Sequence, residues 1–143
     1  MENNTELLQF VHKNAEMGIS TIPKVLELVQ SPGMRKALSR QLEEYTEIAS
    51  QAETAIRRRG GRPRGPGGMA ETMSGLMLRA KTAADQSPSH IAEMMIRGST
   101  MGTVQMTRRL HGYADQGDRE AVALANRLLA TEENNIQQLK DYL

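Results

Sequence analysis

The sequence predicts an all-α fold: an up-down bundle of four long helices with a long, partly helical crossover between the second and third. Three observations predict it. Four long segments carry apolar residues at steps of three and four, the period of a helix face laid on a core. Runs of β-branched and aromatic residues with period-two alternation are absent, and one Phe, three Tyr and no Trp leave the core to Leu, Ile, Val, Ala and ten Met, so no sheet is expected. The third is a Gly/Pro-rich break at 60–68, which divides the four segments into two pairs. The 143 residues suit one domain, 1–143.

The first helix is expected from about residue 5 to 29, capped by Asn3, Asn4 or Thr5. Its inner stripe is Leu8, Val11, Ala15, Ile19, Ile22, Leu26 and Val29. Pro23 falls inside that pattern and predicts a kink. His12 and Glu16 share one face and read as a surface pair beside the stripe. Ser31-Pro32 is a cap followed by proline at the first helical position, so the second helix returns antiparallel after a short turn. It runs to about residue 59 with Leu38, Leu42, Tyr45, Ala49, Ala52 and Ile56 inside.

Residues 60–68 read as an exposed, flexible connection. Met69, Met73, Leu76, Met77 and Ala80 then mark a short helix over 69–84. At 1.5 Å per residue it spans about 24 Å, enough to carry the chain along much of a bundle. Ser87 caps the third long helix with Pro88 at its first position, and this helix runs to about residue 113. Ile91, Met94, Met95, Gly98, Met101, Gly102 and Gln105 are its expected inner side, with Gly98 and Gly102 permitting close packing. Gly117 stops that helix and Asp118 caps the last. In the last helix, Ala125, Leu129, Ile136, Leu139 and Leu143 form the stripe. Glu132 fills the gap in it, a carboxyl where a core residue is expected.

Composition excludes several functions. Zero cysteine removes disulfides, thiolate metal sites and cysteine catalysis. There is no apolar run of 18 residues to cross a membrane. The polar start of the chain does not read as a signal peptide, and a cytoplasmic location is expected. No HxxxH, ExxH or nucleophile-elbow spacing seeds a catalytic site. The net charge is +1 but uneven: Arg57, Arg58, Arg59, Arg62 and Arg64 lie within eight residues, and the remainder holds 13 basic and 17 acidic residues, or −4. The arginines read first as a solvated connection whose replacement leaves stability unchanged. The alternative is an anion- or nucleic-acid-binding loop, although the aromatic interleaving that stacks bases is missing.

The segments 132–140 (Glu-Glu-Asn-Asn-Ile-Gln-Gln-Leu-Lys) and 41–48 (Gln-Leu-Glu-Glu-Tyr-Thr-Glu-Ile) resemble the last and second helices of ferritin-like proteins. In layout, nearly the whole chain resembles the small bacterial ferritin-like four-helix bundles. The resemblance implies parallel second and third helices, and a di-iron or di-manganese centre built from a Glu on two helices and Glu-x-x-His on the other two. The chain departs from that pattern. Glu132 matches the last-helix glutamate, but Asn135 stands at the histidine position, and Glu44 is followed by Glu47. Glu16, Glu44, Glu47, Glu93 and Glu132 are therefore the metal candidates, as an all-oxygen set for a hard cation.

The expectation is a non-enzymatic bundle with a degenerate metal site, no cofactor, and a role in partner binding or assembly as a homodimer. The alternatives are a carboxylate-rich iron or manganese protein and an anion binder. Glu132 is expected to be a satisfied polar contact, with Tyr45, His12 or Gln105 as its donor.

Overall fold

The computed structural model describes residues 5–64, 85–113 and 118–143, and contains four helices: α1 (Glu6–Leu26), α2 (Pro32–Arg58), α3 (Pro88–Tyr113) and α4 (Arg119–Lys140). There is no strand among the described residues. The expected short helix over 69–84, the glycines at 65–68, the caps Asn3 and Asn4, and the stop at Gly117 lie outside them.

The starts of α2, α3 and α4 follow from their capping chemistry. Ser31 Oγ accepts from Met34 N at 3.3 Å and Pro32 occupies the first turn. Ser87 Oγ accepts from His90 N at 3.3 Å, and Asp118 Oδ1 from Ala121 N at 3.1 Å. Thr5 precedes α1 without a side-chain cap. α2 ends in a Schellman motif: Gly61 N–H donates to Ile56 O and Gly60 N–H to Arg57 O, both at 3.0 Å, with Gly60 at φ +78°. α1 stops at Leu26, three residues short of the expected end, with Pro23 inside it. The Arg35 guanidinium crosses the turn and donates to the carbonyls of Val29 and Leu26, groups left open where α1 ends.

Contacts between helix ends fix the directions. Arg58 and Arg59, ending α2, pair with Asp118 and Glu120, beginning α4. At the other end of the bundle, Gly33 lies under the Tyr142 ring, so α2 and α4 are antiparallel. The Arg109 guanidinium sits 4.8 Å from the centre of the Phe10 ring, which sets the end of α3 against the start of α1. α3 and α4 also pack together, joined by a short connection. α2 and α3 therefore run parallel. That is the connectivity implied by the ferritin-like resemblance.

The core mixes predicted and unpredicted positions. Leu8, Val11, Ala15, Ile22, Leu38, Ala52 and Ile56 are buried as expected. On α4 the buried stripe is rotated by about one residue: Leu124, Leu128 and Asn135 are buried, Leu129 and Ile136 only half-buried, and Leu143 is exposed. Met101 on α3, expected inside, points to solvent, and Met106 fills the core instead. His12 is buried, not on the surface, with Nε2 3.6 Å from Glu16.

The arginine-rich connection is tied down over its described part. Arg59 is half-buried and bridges Asp118 and Glu120 at 2.8–3.1 Å. Arg57 pairs with Glu53, Arg58 with Glu120, and Arg64 with Glu6. Gln9, buried on α1, donates to Arg62 O at 2.7 Å and accepts from Arg64 N at 2.8 Å. This corrects the expectation of a loop without structural weight. Replacing all five arginines by Gln should lower the melting temperature by about 3 °C, since lost pairs of this kind total about 1 kcal/mol. Calorimetry at low and at molar salt checks it. The deficit should shrink in high salt, and an unchanged melting temperature at low salt would refute it.

Gly18 generates a second prediction. A Cβ there would lie 2.5 Å from Tyr45 Cδ2 and 2.8 Å from Cε2. Ala normally stabilises a helix interior over Gly by up to about 1 kcal/mol. Here overpacking against a buried ring reverses the sign, and Gly18→Ala should cost about 1–3 kcal/mol in urea denaturation.

Candidate functional site

Glu132 enters the core because Leu128, Asn135 and Leu139 share its face of α4, at helical steps of three and four. Its side chain is 6% exposed. Room for it comes from α3. A Cβ at Gly102 would lie 2.8 Å from Glu132 Oε2, 3.3 Å from Oε1 and 3.4 Å from Asn14 Oδ1. Asn14, on α1, donates its Nδ2 to Phe10 O at 2.9 Å, which orients Oδ1 towards the carboxyl. Tyr45 closes the site from α2, its ring seated on Gly18. All four helices thus meet at one polar cluster.

Its electrostatics follow from burial. The Glu132 carboxyl has its pKa pushed up to about 8 by desolvation, with no positive charge among the described residues to offset it. Among the described residues it has neither an ion-pair partner nor a hydrogen-bond donor. The expected donors are otherwise placed: His12 faces Glu16, and neither Tyr45 nor Gln105 bonds the carboxyl. The Tyr45 phenol is raised above its ordinary value, by burial first and then by the Glu132 charge, while Asn135 and Ser99 act in the opposite direction. Asn135 is 0% exposed, and neither its Nδ2 nor its Oδ1 makes a hydrogen bond. Asn135 is therefore buried with its amide unsatisfied, one helical turn from a buried carboxyl that has no ion-pair partner among the described residues, an arrangement that needs an explanation beyond packing.

The five metal candidates do not converge. Glu47 pairs with Arg127 at 3.1 Å and Glu93 with Arg97 at 2.6 Å, both exposed. Glu16 faces His12. Glu44 is half-buried, and its pKa is raised chiefly by burial against the opposing charges of Arg127 and Arg40. No group of three or more His, Cys, Asp or Glu that could hold a metal exists among the described residues. Around Glu132 the donor set is one carboxyl, two amides and two hydroxyls. Hard divalent cations take several anionic oxygens, so these residues do not fit a di-iron or di-manganese centre.

Beside the cluster lies a void of about 70 Å³ between α1 and α3, lined mainly by apolar side chains, with Glu132, Asn14, Tyr45 and Ser99 in its wall. Sequence reasoning found Glu132 from the gap in its stripe. It noted Asn135 only as a replaced histidine, and the void left no sequence signal.

These features define an all-α bundle of four long helices with, among the described residues, one buried carboxyl at its centre. No family model matches the chain, and no curated protein matches it. Among solved structures the chain is similar to "YcfI, a putative structural protein from Rhodopseudomonas palustris", with a TM-score of 0.78 and 16% identity over 94% of this chain and 90% of that one. At that identity the likeness shows the fold. No helix among the described residues is long and apolar enough to cross a membrane.

The raised pKa of Glu132 sets a pH dependence. Between about pH 4.3, the ordinary glutamate value, and about 8, the native state holds a proton that the unfolded chain has lost. Stability should therefore fall as pH rises through that window, by at most about 1.4 kcal/mol per pH unit, and level off above it. Glu132→Gln should remove the slope and exceed wild type in stability at pH 9. Urea denaturation of both proteins from pH 5 to 9 checks this, and parallel curves would refute it.

Proposed function

We propose that this chain is a non-enzymatic, ferritin-like bundle that works by self-assembly or partner binding, with Glu132 and Asn135 as the remnant of a metal site. The observation that carries the reading is the split among the five carboxylates: Glu132 alone is buried at the centre, while Glu16, Glu44, Glu47 and Glu93 lie elsewhere. The Glu-x-x-His position of the resemblance holds Asn135, whose amide is a poor substitute for imidazole. The solved structure of similar fold is itself described as a structural protein in prospect, which agrees with a role without chemistry.

Self-association as a homodimer has one supporting feature. Met101 and Val104, 49% and 47% exposed, stand one turn apart on α3. The cytoplasm suits a chain without cysteine. Anion or nucleic-acid binding through residues 57–64 ranks below these readings, because Arg57, Arg58, Arg59 and Arg64 already face carboxylates.

Two measurements test the reading. Metal analysis of protein from metal-replete cells should find well under one equivalent of iron or manganese, and added metal should leave the melting temperature unchanged. One or two tightly held equivalents would overturn it in favour of the metal-binding alternative. Sedimentation at tens of micromolar should show a dimer, and a monomer would reject the homodimer.

A further inference from the structure

The void between α1 and α3 has a built polar end. α1 and α3 touch more sparsely than the other helix pairs that pack side by side. Along α1 the void extends from Asn14 to beyond Val25, eleven residues or about 16 Å of helix. Because α3 runs antiparallel to α1, Ser99 lies at the Asn14 end and Ile91 at the Val25 end. Ile22, Val25, Ile91 and Met95 make the far part apolar. At the near end, Glu132 and Asn14 stand in the wall of the void, with Glu132 Oε2 and Asn14 Oδ1 both close to Gly102 of α3. Both oxygens are acceptors, and the Asn14 Nδ2 is already committed to Phe10 O.

We propose that this void is a binding site for a primary alkylammonium ion, its nitrogen held by the Glu132 carboxylate and Asn14 Oδ1 and its unbranched chain lying along the α1–α3 seam. The charge argument is direct. Glu132 is nine-tenths buried with no countercharge among the described residues, and a cation at that point supplies the missing pair. An ammonium group carries three donors and no acceptor, which suits acceptor oxygens. The nearby Tyr45 phenol, which feels the Glu132 charge, brings no positive charge of its own. A carboxylate amphiphile would set two negative charges together.

Size narrows the ligand. The void of about 70 Å³ is drawn out along about 16 Å of α1, a shape that an unbranched chain follows and a ring does not. A linear chain is narrower. Met17, Met94 and Met95 in the wall are unbranched, with freely rotating side chains that can yield along its length.

The inference shares one premise with the proposed function, that Glu132 is free of metal, and does not depend on assembly. The test uses the full chain dialysed against EDTA, titrated calorimetrically with n-hexylammonium, 1-hexanol, hexanoate and cyclohexylammonium at pH 9. There Glu132 is largely ionised and an alkylamine is still largely protonated, as lysine is. Hexylammonium should bind saturably, about tenfold or more tighter than hexanol, and hexanoate and the cyclic amine should bind weakest. Its affinity should fall about tenfold per pH unit below about pH 8, because binding must then release the Glu132 proton.

Glu132→Gln should erase the preference for ammonium over alcohol and the pH dependence, with its circular dichroism unchanged. Gly102→Ala, which puts a methyl between the two oxygens, should abolish ammonium binding in the same way. Absence of saturable ammonium binding to metal-free wild type, equal affinity for hexanol or hexanoate, or undiminished ammonium binding by Glu132→Gln would each overturn the proposal. Tightly held metal in undialysed protein would instead overturn the proposed function and leave these titrations to be judged by themselves.

Discussion

A carboxyl at the meeting point of four helices constrains everything around it. Burying Glu132 removes most of its hydration, and no positive side chain among the described residues replaces it. The fold accommodates this with absence of bulk. Gly102 gives up a side chain so that the carboxyl can pass, and Gly18 gives one up so that the Tyr45 ring can close the same level from the opposite side. Between these two glycines the helices are spaced by a polar cluster instead of by interlocked aliphatic groups. The void along α1 and α3 continues from that spacing, lined by methionines that tolerate imperfect packing.

The two ends of the bundle are held by other means. Where α2 ends and α4 begins, Arg59 grips Asp118 and Glu120, and Asp118 also caps α4. One aspartate therefore serves the start of a helix and its pairing with a neighbour. Arg64 and Gln9 then lay the departing connection along the start of α1. At the opposite end Arg35 ties the carbonyls closing α1 to the first turn of α2, and Tyr142 covers Gly33. Polar fastening at both ends lets the middle carry unsatisfied groups without the helices parting. Such groups are destabilising where they stand, so their presence at the centre is the natural place to look for a ligand or for the trace of a lost one.

By itself, the sequence determined the type and order of the four long helices. Caps and periodicity are local: Ser31, Ser87 and Asp118 accept from backbone groups three residues on, and apolar steps of three and four depend on helix geometry alone. Glu132 was legible for the same reason, as an interruption in a local pattern. Tertiary structure decided which way each stripe turned. Leu128 and Asn135 displaced Leu129 and Ile136 from the core, and Met106 displaced Met101, because a half-turn ambiguity in a broad apolar face is settled by the neighbour it meets. It also decided the fate of the charges. His12 went inside and four of the five arginines found carboxylates; Arg57 pairs one turn back with Glu53, but Arg58, Arg59 and Arg64 find partners far along the chain, pairings that no spacing in the sequence encodes. The separation of the five glutamates is of this kind. Their places on four helices were readable, but whether their side chains converge depends on the rotation of each helix about its axis, which packing alone fixes.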